Sequence, residues 1–425
     1  MCRIAISAAA LCLGVAACAQ RGGASFEPQG PPAAFERLGA SSYRVLYSFG
    51  EREKSDDGVR PLAALHAIAG TFYGTTQQGG VRANRCSFGC GTVFRISPAG
   101  VESIVYRFKG GIDGVAPAAR LVTLGAALAG TTTAGGAGTA CIGGCGTIFR
   151  VNTDGTKANV LYAFTGGHDG AAPLGGLTVS GTLLYGTTEY GGKRGDGCLD
   201  GCGTVYSLHS DGSNERILHR FAGGSDGANP LDTLLDVNGS LYGTTMYGGN
   251  KTALCSHGCG TVFRVDADGS EKILYRFRYA LKLADAAYPA AGLLFRHGLL
   301  YGTTLAGGTA GLGTVFVVDP SSGKERVLHS FICCGKASKD GAYPVASLVE
   351  TGGVFYGTTR GGGADGRGTV FRIARSGKEG VVHSFAARPD GNQPDASLLL
   401  SGTELFGTTA WGGRISEGSV FRVTP

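Results

Sequence analysis

Two sets of residues in this chain have types and spacings that could do chemistry. The first is a set of aspartates, each followed four residues later by a proline: Asp57, Asp113, Asp169, Asp226, Asp285, Asp340 and Asp390. Seven carboxylates at equivalent positions could surround a channel mouth and attract a cation. The alternative is an Asx turn, in which each aspartate accepts backbone hydrogen bonds and the proline stiffens the loop. Because a ligand site normally breaks symmetry, recurrence in every repeat favours the turn.

The second set is cysteine, of which the chain has 13. Ten form local pairs: Cys86/Cys90, Cys141/Cys145, Cys198/Cys202, Cys255/Cys259 and the adjacent Cys333/Cys334. As metal ligands, each thiolate pair would need two further ligands nearby. An even, paired set in an exported chain is instead typical of disulfides. We therefore predict five disulfides, no metal site and no cofactor.

No other pattern assigns a catalytic residue. His219, His329 and His383 share one repeat position, and the remaining histidines are scattered. Gly223–Gly227 matches G-x-S-x-G, but a strand follows where a nucleophile elbow needs a helix. The net charge of +6 is spread along the chain, whereas a nucleic-acid footprint would cluster lysines and arginines. The sequence thus predicts no catalytic residue and no nucleic-acid partner.

An internal repeat must position these residues. The sequence motif Tyr-Gly-Thr-Thr, or a variant that replaces the tyrosine, recurs seven times. Its glycine is Gly74, Gly130, Gly186, Gly243, Gly302, Gly357 and Gly407. Each repeat reads as four short strands, a to d, which alternate in polarity and are bounded by glycine, aspartate or serine. The glycine lets a neighbouring backbone approach closely. Four strands at a fixed period predict the blade of a β-propeller.

The two ends of the chain complement each other. Tyr43–Phe49 is a d strand that no a, b or c strand precedes, and Gly418–Val423 is a c strand that no d strand follows. Pairing them gives seven of each strand and leaves no open edge in the ring. We predict an all-β, seven-bladed β-propeller over residues 43–425, with the last blade closed by the N-terminal strand. In this fold the d–a and b–c loops lie on one face.

The succession of LYGTT, GG, GTVF, a turn and LYxF resembles the Gloeo/Verruco (GloVer) repeat of bacterial surface proteins. The resemblance covers roughly Tyr43 to Val423. Two local departures are Leu128-Ala129-Gly130, which lacks the tyrosine, and Asp285-Ala286, which lacks the loop glycine. The resemblance implies an exported, anchored protein and no known reaction.

The N-terminal residues have the features of a targeting segment. Arg3 precedes an apolar stretch that is too short to span a bilayer, and Val15-Ala16-Ala17-Cys18 resembles a lipobox. We predict a signal peptide over residues 1–18 with lipidation of Cys18, and a flexible tether over residues 19–42. Ordinary signal cleavage after Ala19 is the alternative. Lipidation implies the outer membrane, and ordinary cleavage implies a periplasmic or secreted protein.

These features predict a non-catalytic binding or display module at the bacterial cell envelope. We expect a monomer that is held to the membrane by its N-terminal lipid and offers its loop-rich face to a glycan or protein ligand. One alternative is a propeller enzyme that acts on glycans or uses a quinone cofactor. Another is a purely structural envelope protein. Polar residues from non-equivalent repeat positions that converge at the channel would favour the enzyme.

Overall fold

Seven four-stranded antiparallel sheets form the blades of a closed ring. The computed structural model describes residues 42–50, 57–83, 86–195, 197–280, 284–332 and 340–425. In every sheet the strand order is a-b-c-d, with blade 7 completed by the N-terminal strand. The a strands of neighbouring blades contact each other, which places them innermost. Within the described residues, no helix has the length and apolar character that crossing a bilayer requires.

The strands are short, as the repeat predicts. In blades 1 to 7, the a strands are His66–Ile68, Val122–Leu124, Thr178–Ser180, Leu235–Val237, Leu294–Arg296, Val349–Thr351 and Leu399–Ser401. The b strands are Thr71–Thr76, Ala127–Thr132, Leu183–Thr188, Ser240–Thr245, Leu299–Gly307, Val354–Thr359 and Glu404–Thr409. The c strands are Thr92–Ile96, Thr147–Asn152, Thr204–His209, Thr261–Asp266, Thr314–Val318, Thr369–Ala374 and Ser419–Thr424. The d strands are Glu102–Arg107, Asn159–Ala163, Arg216–Arg220, Glu271–Arg276, Glu325–Ser330, Glu379–Ser384 and Ser42–Ser48.

The predicted closure of the ring is confirmed. Ser42–Ser48 pairs antiparallel with Ser419–Thr424, and Val45 lies opposite Phe421. Ser48 pairs with Ser419, next to the b–c loop, whereas Ser42 pairs with Thr424 at the other end of the blade. The chain therefore enters the ring on the side that carries the a–b and c–d hairpins, which we call the hairpin face.

The repeated glycine makes room for an aromatic ring. A Cβ at Gly243 would lie 2.5 Å from Cζ of Phe263 on the paired c strand and 2.9 Å from Cδ2 of Leu234. All seven glycines have this environment, with a phenylalanine or tyrosine over each. The close approach that the sequence predicts is thus made by a side chain and not by a backbone.

The two threonines that follow the glycine bond in different directions. The first donates to a carbonyl of the next blade in all seven blades, at 2.9–3.4 Å, and Thr408 closes the circle on Ala63. The second bonds within its own blade, as Thr245 does to the Thr261 hydroxyl at 2.8 Å and to the Tyr247 carbonyl at 2.9 Å. These buried hydroxyls are therefore satisfied inside the ring.

Aromatic side chains fill the seams between blades. The phenylalanine that ends each d strand is fully buried, as at Phe221 and Phe277. Each packs edge-to-face on the c-strand ring of the following blade, with centroids about 5 Å apart: Phe49–Phe94, Phe108–Phe149, Phe164–Tyr206, Phe221–Phe263, Phe277–Phe316, Phe331–Phe371 and Phe385–Phe421. Together with the threonine bonds, these pairs hold adjacent blades in a fixed register.

Short ladders tie the d–a loop to the b–c loop of the blade it enters. Gly58–Val59 pairs with Gln78–Gly79, Gly341–Ala342 with Gly361–Gly362, Gly391–Asn392 with Trp411–Gly412, and Ala286–Pro289 with the end of Leu299–Gly307. Three other d–a loops contain a single 3-10 turn: Gly111–Asp113, Gly167–Asp169 and Gly224–Asp226. Both loop types therefore form one surface, which we call the loop face.

Candidate functional site: the loop face

The predicted ring of aspartates lies at the base of the loop face. In every blade the carboxylate contacts the tyrosine or histidine two residues before the end-of-strand phenylalanine: Tyr47–Asp57, Tyr106–Asp113, Tyr162–Asp169, His219–Asp226, Tyr275–Asp285, His329–Asp340 and His383–Asp390. Each carboxylate also accepts a backbone N–H from the start of its loop, such as that of Gly50 at 2.8 Å. The arrangement is that of a loop cap. Attraction of a cation by these carboxylates stays the less favoured alternative.

A second carboxylate joins several of these caps from the next blade. Burial, together with the charge of Asp285, raises the pKa of Glu325 to about 8. Burial and the neighbouring aspartates likewise raise the pKa of Glu215 and of Glu379 to about 7. Burial and the nearby aspartate charge therefore favour the protonated form of the second carboxyl.

Two caps contain the residue types of a metal site. The ligand atoms of His219, Asp226 and Glu271 lie within 4.8 Å of one another, as do those of His329, Asp340 and Glu379. A histidine with two carboxylates could hold a divalent cation. Blades with tyrosine in place of the histidine, such as Tyr275 with Asp285, keep the same hydrogen bond without a nitrogen ligand. Cap formation alone thus accounts for the grouping.

Four of the predicted disulfides are present. Cys86–Cys90, Cys141–Cys145, Cys198–Cys202 and Cys255–Cys259 are bonded, and each closes part of a b–c loop. Their sulfurs pack into the seams; Cys255 and Cys259, for instance, contact the cluster around Phe277 and Ala286. The disulfides therefore anchor the longer b–c loops to the core. The predicted Cys333–Cys334 pair and the lipidated Cys18 lie outside the described residues.

Large apolar side chains project from the loop face. Ten of the twelve that the described residues expose lie in d–a or b–c loops: Val81, Phe88, Ile112, Ile142, Tyr190, Leu199, Leu254, Ile332, Tyr343 and Ile415. Phe88 and Leu199 are 74% and 81% exposed, and Ile142 is fully exposed. All three lie between the two cysteines of a disulfide. Exposed apolar residues concentrated on one face mark an interaction surface.

The same loops carry an excess of positive charge. Exposed charged side chains occur in the described b–c loops and in the described d–a loop residues that precede the aspartate. Eight of them are basic: Arg82, Lys109, Lys193, Arg194, Lys251, Arg278, Arg388 and Arg414. Only Asp200 and Asp365 are exposed and acidic there. The described part of the loop face therefore carries a net positive charge.

Polar residues that break the repeat symmetry meet at the axis of the ring. Asp232 stands two residues after the loop proline, where the other repeats have alanine or glycine. Its carboxylate accepts the N–H groups of Thr233 and Gly292 at 2.6 and 2.5 Å. It also accepts the hydroxyl of Ser347, two blades away, at 3.4 Å. Blades 4, 5 and 6 therefore share one polar cluster at the axis.

Arg120 from blade 2 adds a cation to this axial cluster. Burial raises the pKa of Asp232. Burial also lowers the pKa of the Arg120 guanidinium, and the charge of Asp232 opposes that shift. The pKa of His66 is lowered by its burial and by the charge of Arg120. Aligning the seven repeats would have revealed Arg120 and Asp232, because both replace small residues.

Comparison with known proteins points to a repeat family. A family model described as the Gloeobacter/Verrucomicrobia repeat matches residues 32–199 and 335–425, together more than half of the chain. The comparison with curated proteins found no significant match.

Solved structures resemble the chain only distantly. One is a nidogen/laminin complex, at 15% identity and a TM-score of 0.40, over 68% of this chain and 89% of that chain. Another is TolB from Acinetobacter baumannii, at 14% identity and a TM-score of 0.38, over 68% and 58%. A third is a luciferin-regenerating enzyme, at 13% identity and a TM-score of 0.40, over 87% and 92%. Similarities this low carry no argument about function.

Proposed function

Because the chain belongs to the Gloeobacter/Verrucomicrobia repeat family, we propose that it is an exported, lipid-tethered binding or display module of the bacterial cell envelope. The observation that carries this proposal is the concentration of exposed apolar side chains on the loop face. The polar groups beneath them bond to one another and hold the loops in place.

The position of the N-terminal strand supports the same function. Ser42 lies at the hairpin face, so a tether that leads into it joins the ring on the side opposite the loop face. A lipid on Cys18 followed by a flexible segment of this length has a reach of roughly 25–30 Å. The ring would then be held within this distance of a membrane.

Binding of the unlipidated chain to isolated cell envelopes tests this function. Residues 19–425 contain every strand of the ring. We expect them to sediment with envelopes, and we expect the triple variant Phe88→Ser, Ile142→Ser, Leu199→Ser to remain in solution. Val101→Ser is the matched control, since Val101 is 73% exposed but lies in a c–d turn on the hairpin face. Equal binding by the triple variant would refute a docking role for the loop face.

Anchoring has a separate test. Mass spectrometry of the mature protein should find a diacylglyceryl group on Cys18, as its lipobox-like context predicts. A free N-terminus at Gln20 would show ordinary cleavage instead and remove the lipid tether from the proposal.

The axial cluster supports a second candidate, a propeller enzyme. Its charged residues, Asp232 and Arg120, replace small residues at adjacent repeat positions, so the cluster is asymmetric in residue type, as expected of an active site. Asp232, whose pKa is raised by burial, could act as a general acid beside the cationic Arg120. A screen of glycan substrates with the wild-type protein and Asp232→Asn tests this candidate. Turnover that the variant abolishes would establish it, whereas turnover that the variant leaves unchanged would place catalysis elsewhere.

A further inference from the structure

We infer that the partner of the loop face is the surface of a lipid bilayer that contains anionic headgroups. This inference rests on the proposed role of the loop face as the binding surface. It follows from three properties of that face: how its apolar side chains are presented, how they are spaced and which charges accompany them.

The apolar side chains stand at the tips of closed loops. Phe88, Ile142 and Leu199 each lie between two cysteines four residues apart in sequence, whose disulfide anchors the loop base in a seam. Such a loop has already lost most of its conformational freedom, so inserting its tip into another phase costs little further ordering. Tips of this kind suit insertion into the boundary between headgroups and acyl chains.

The tips are distributed along an arc of the ring. They belong to consecutive blades, and the loops of blades 3 and 4 touch: a Cβ at Gly197 would lie 2.7 Å from Nδ1 of His257. A protein interface would present a contiguous apolar core with a polar rim. Tips on consecutive blades of one closed ring match a laterally uniform partner, which a bilayer is.

Basic side chains accompany two of the three tips: the loop of Ile142 has none, and the exposed Asp200 adjoins Leu199. Arg82 precedes Phe88, Lys193 and Arg194 precede Leu199, and Arg414 adjoins Ile415, all of them exposed. With two exposed acidic residues against eight basic ones on the described loops, the face complements a negatively charged surface. Each lysine or arginine near anionic lipid strengthens binding by about fivefold.

Vesicle sedimentation with residues 19–425 tests the inference. We expect binding to vesicles of phosphatidylcholine mixed with phosphatidylglycerol, weakening as salt rises, and at least about tenfold weaker binding to phosphatidylcholine alone. The triple tip variant should lose at least about tenfold on the mixed vesicles, because inserted apolar side chains contribute to binding. Lys193→Glu with Arg194→Glu should lose a similar amount at low salt only.

Two further measurements keep the test decisive. Unchanged thermal unfolding of each variant would confirm that the fold is intact, as expected for exposed tips. Val101→Ser should bind vesicles like the wild type. Envelope binding that depends on the tips, without binding to either vesicle type, would overturn the lipid inference and leave the proposed function standing. Tip-independent vesicle binding would also overturn it.

Discussion

At the seams between blades, all seven repeats make the same contacts, whereas on the loop face the b–c connection changes from blade to blade. The hydroxyls that bond across the b and c strands are 15 or 16 residues apart in blades 1 to 4 but 10 residues apart in blades 5 to 7. The longer loops are the ones that hold the disulfides and the most exposed apolar side chains of the b–c loops. The contacts at the seams therefore stabilise the fold, whereas the loop sequences can vary without disturbing those contacts.

The largest expected difference between the seams and the loop face is in how much a substitution lowers the free energy of unfolding. Gly243→Ala places a methyl group 2.5 Å from the buried Phe263 ring, which cannot withdraw without opening a seam. Overpacking of this kind destabilises by about 3 kcal/mol. Leu199→Ala on the loop face should change stability by no more than about 0.5 kcal/mol. Urea unfolding of both variants measures the contrast, and equal midpoints would contradict it.

Removing a disulfide should have an intermediate effect. Cys198→Ala with Cys202→Ala releases a loop of five residues, which the chain-entropy model values at about 2 kcal/mol. Ala310→Ser, in the shorter loop of blade 5, is the control and should leave the unfolding midpoint unchanged. If the double variant were as stable as the wild type, the disulfides would not be what anchors the longer loops.

The stability of the protein should also depend on pH through a carboxyl group beneath the loops. Glu325 has a pKa of about 8 in the folded protein, above its unfolded value. Its contribution to stability is therefore complete below the unfolded pKa and is lost as pH rises through about 8. Glu325→Gln keeps the neutral form at every pH, so its stability advantage over the wild type should grow as pH rises toward 8.

The groups around Glu325 shift its pKa in both directions. Asp285 raises the pKa of Glu325, whereas Tyr275 and Arg326 lower it. Thermal unfolding of the wild type and the variant should diverge as pH rises from about 5 to 8 and coincide at the acid end. Parallel curves over that window would show that Glu325 is already ionised.

The fold could be predicted from sequence because its determinants are local and repeated. The number of blades follows from the recurring strand motifs and their period. The closure of the ring follows from the complementary strand fragments that contain Tyr43 and Val423. Four disulfides followed from cysteines only four residues apart. In each case the interacting residues lie close together in sequence or recur in every repeat.

The candidate site could not be predicted in the same way. Arg120 and Asp232 come from different blades, and only the curvature of the ring brings them together. The aromatic ring over Gly243 depends on the register between strands b and c. Phe88, Ile142 and Leu199 resemble core residues in sequence, and their exposure follows from disulfides that direct the loop bases inward and the tips outward.

Side-chain footprinting of the protein bound to cell envelopes tests most directly the claim that the loop face is the binding surface. Hydroxyl radicals label exposed side chains on both faces of the same molecule. The account predicts that Phe88, Ile142 and Leu199 become protected on binding while Val101, on the hairpin face, stays as reactive as in the free protein. Protection of Val101 with unchanged labelling of the three loop tips would contradict it.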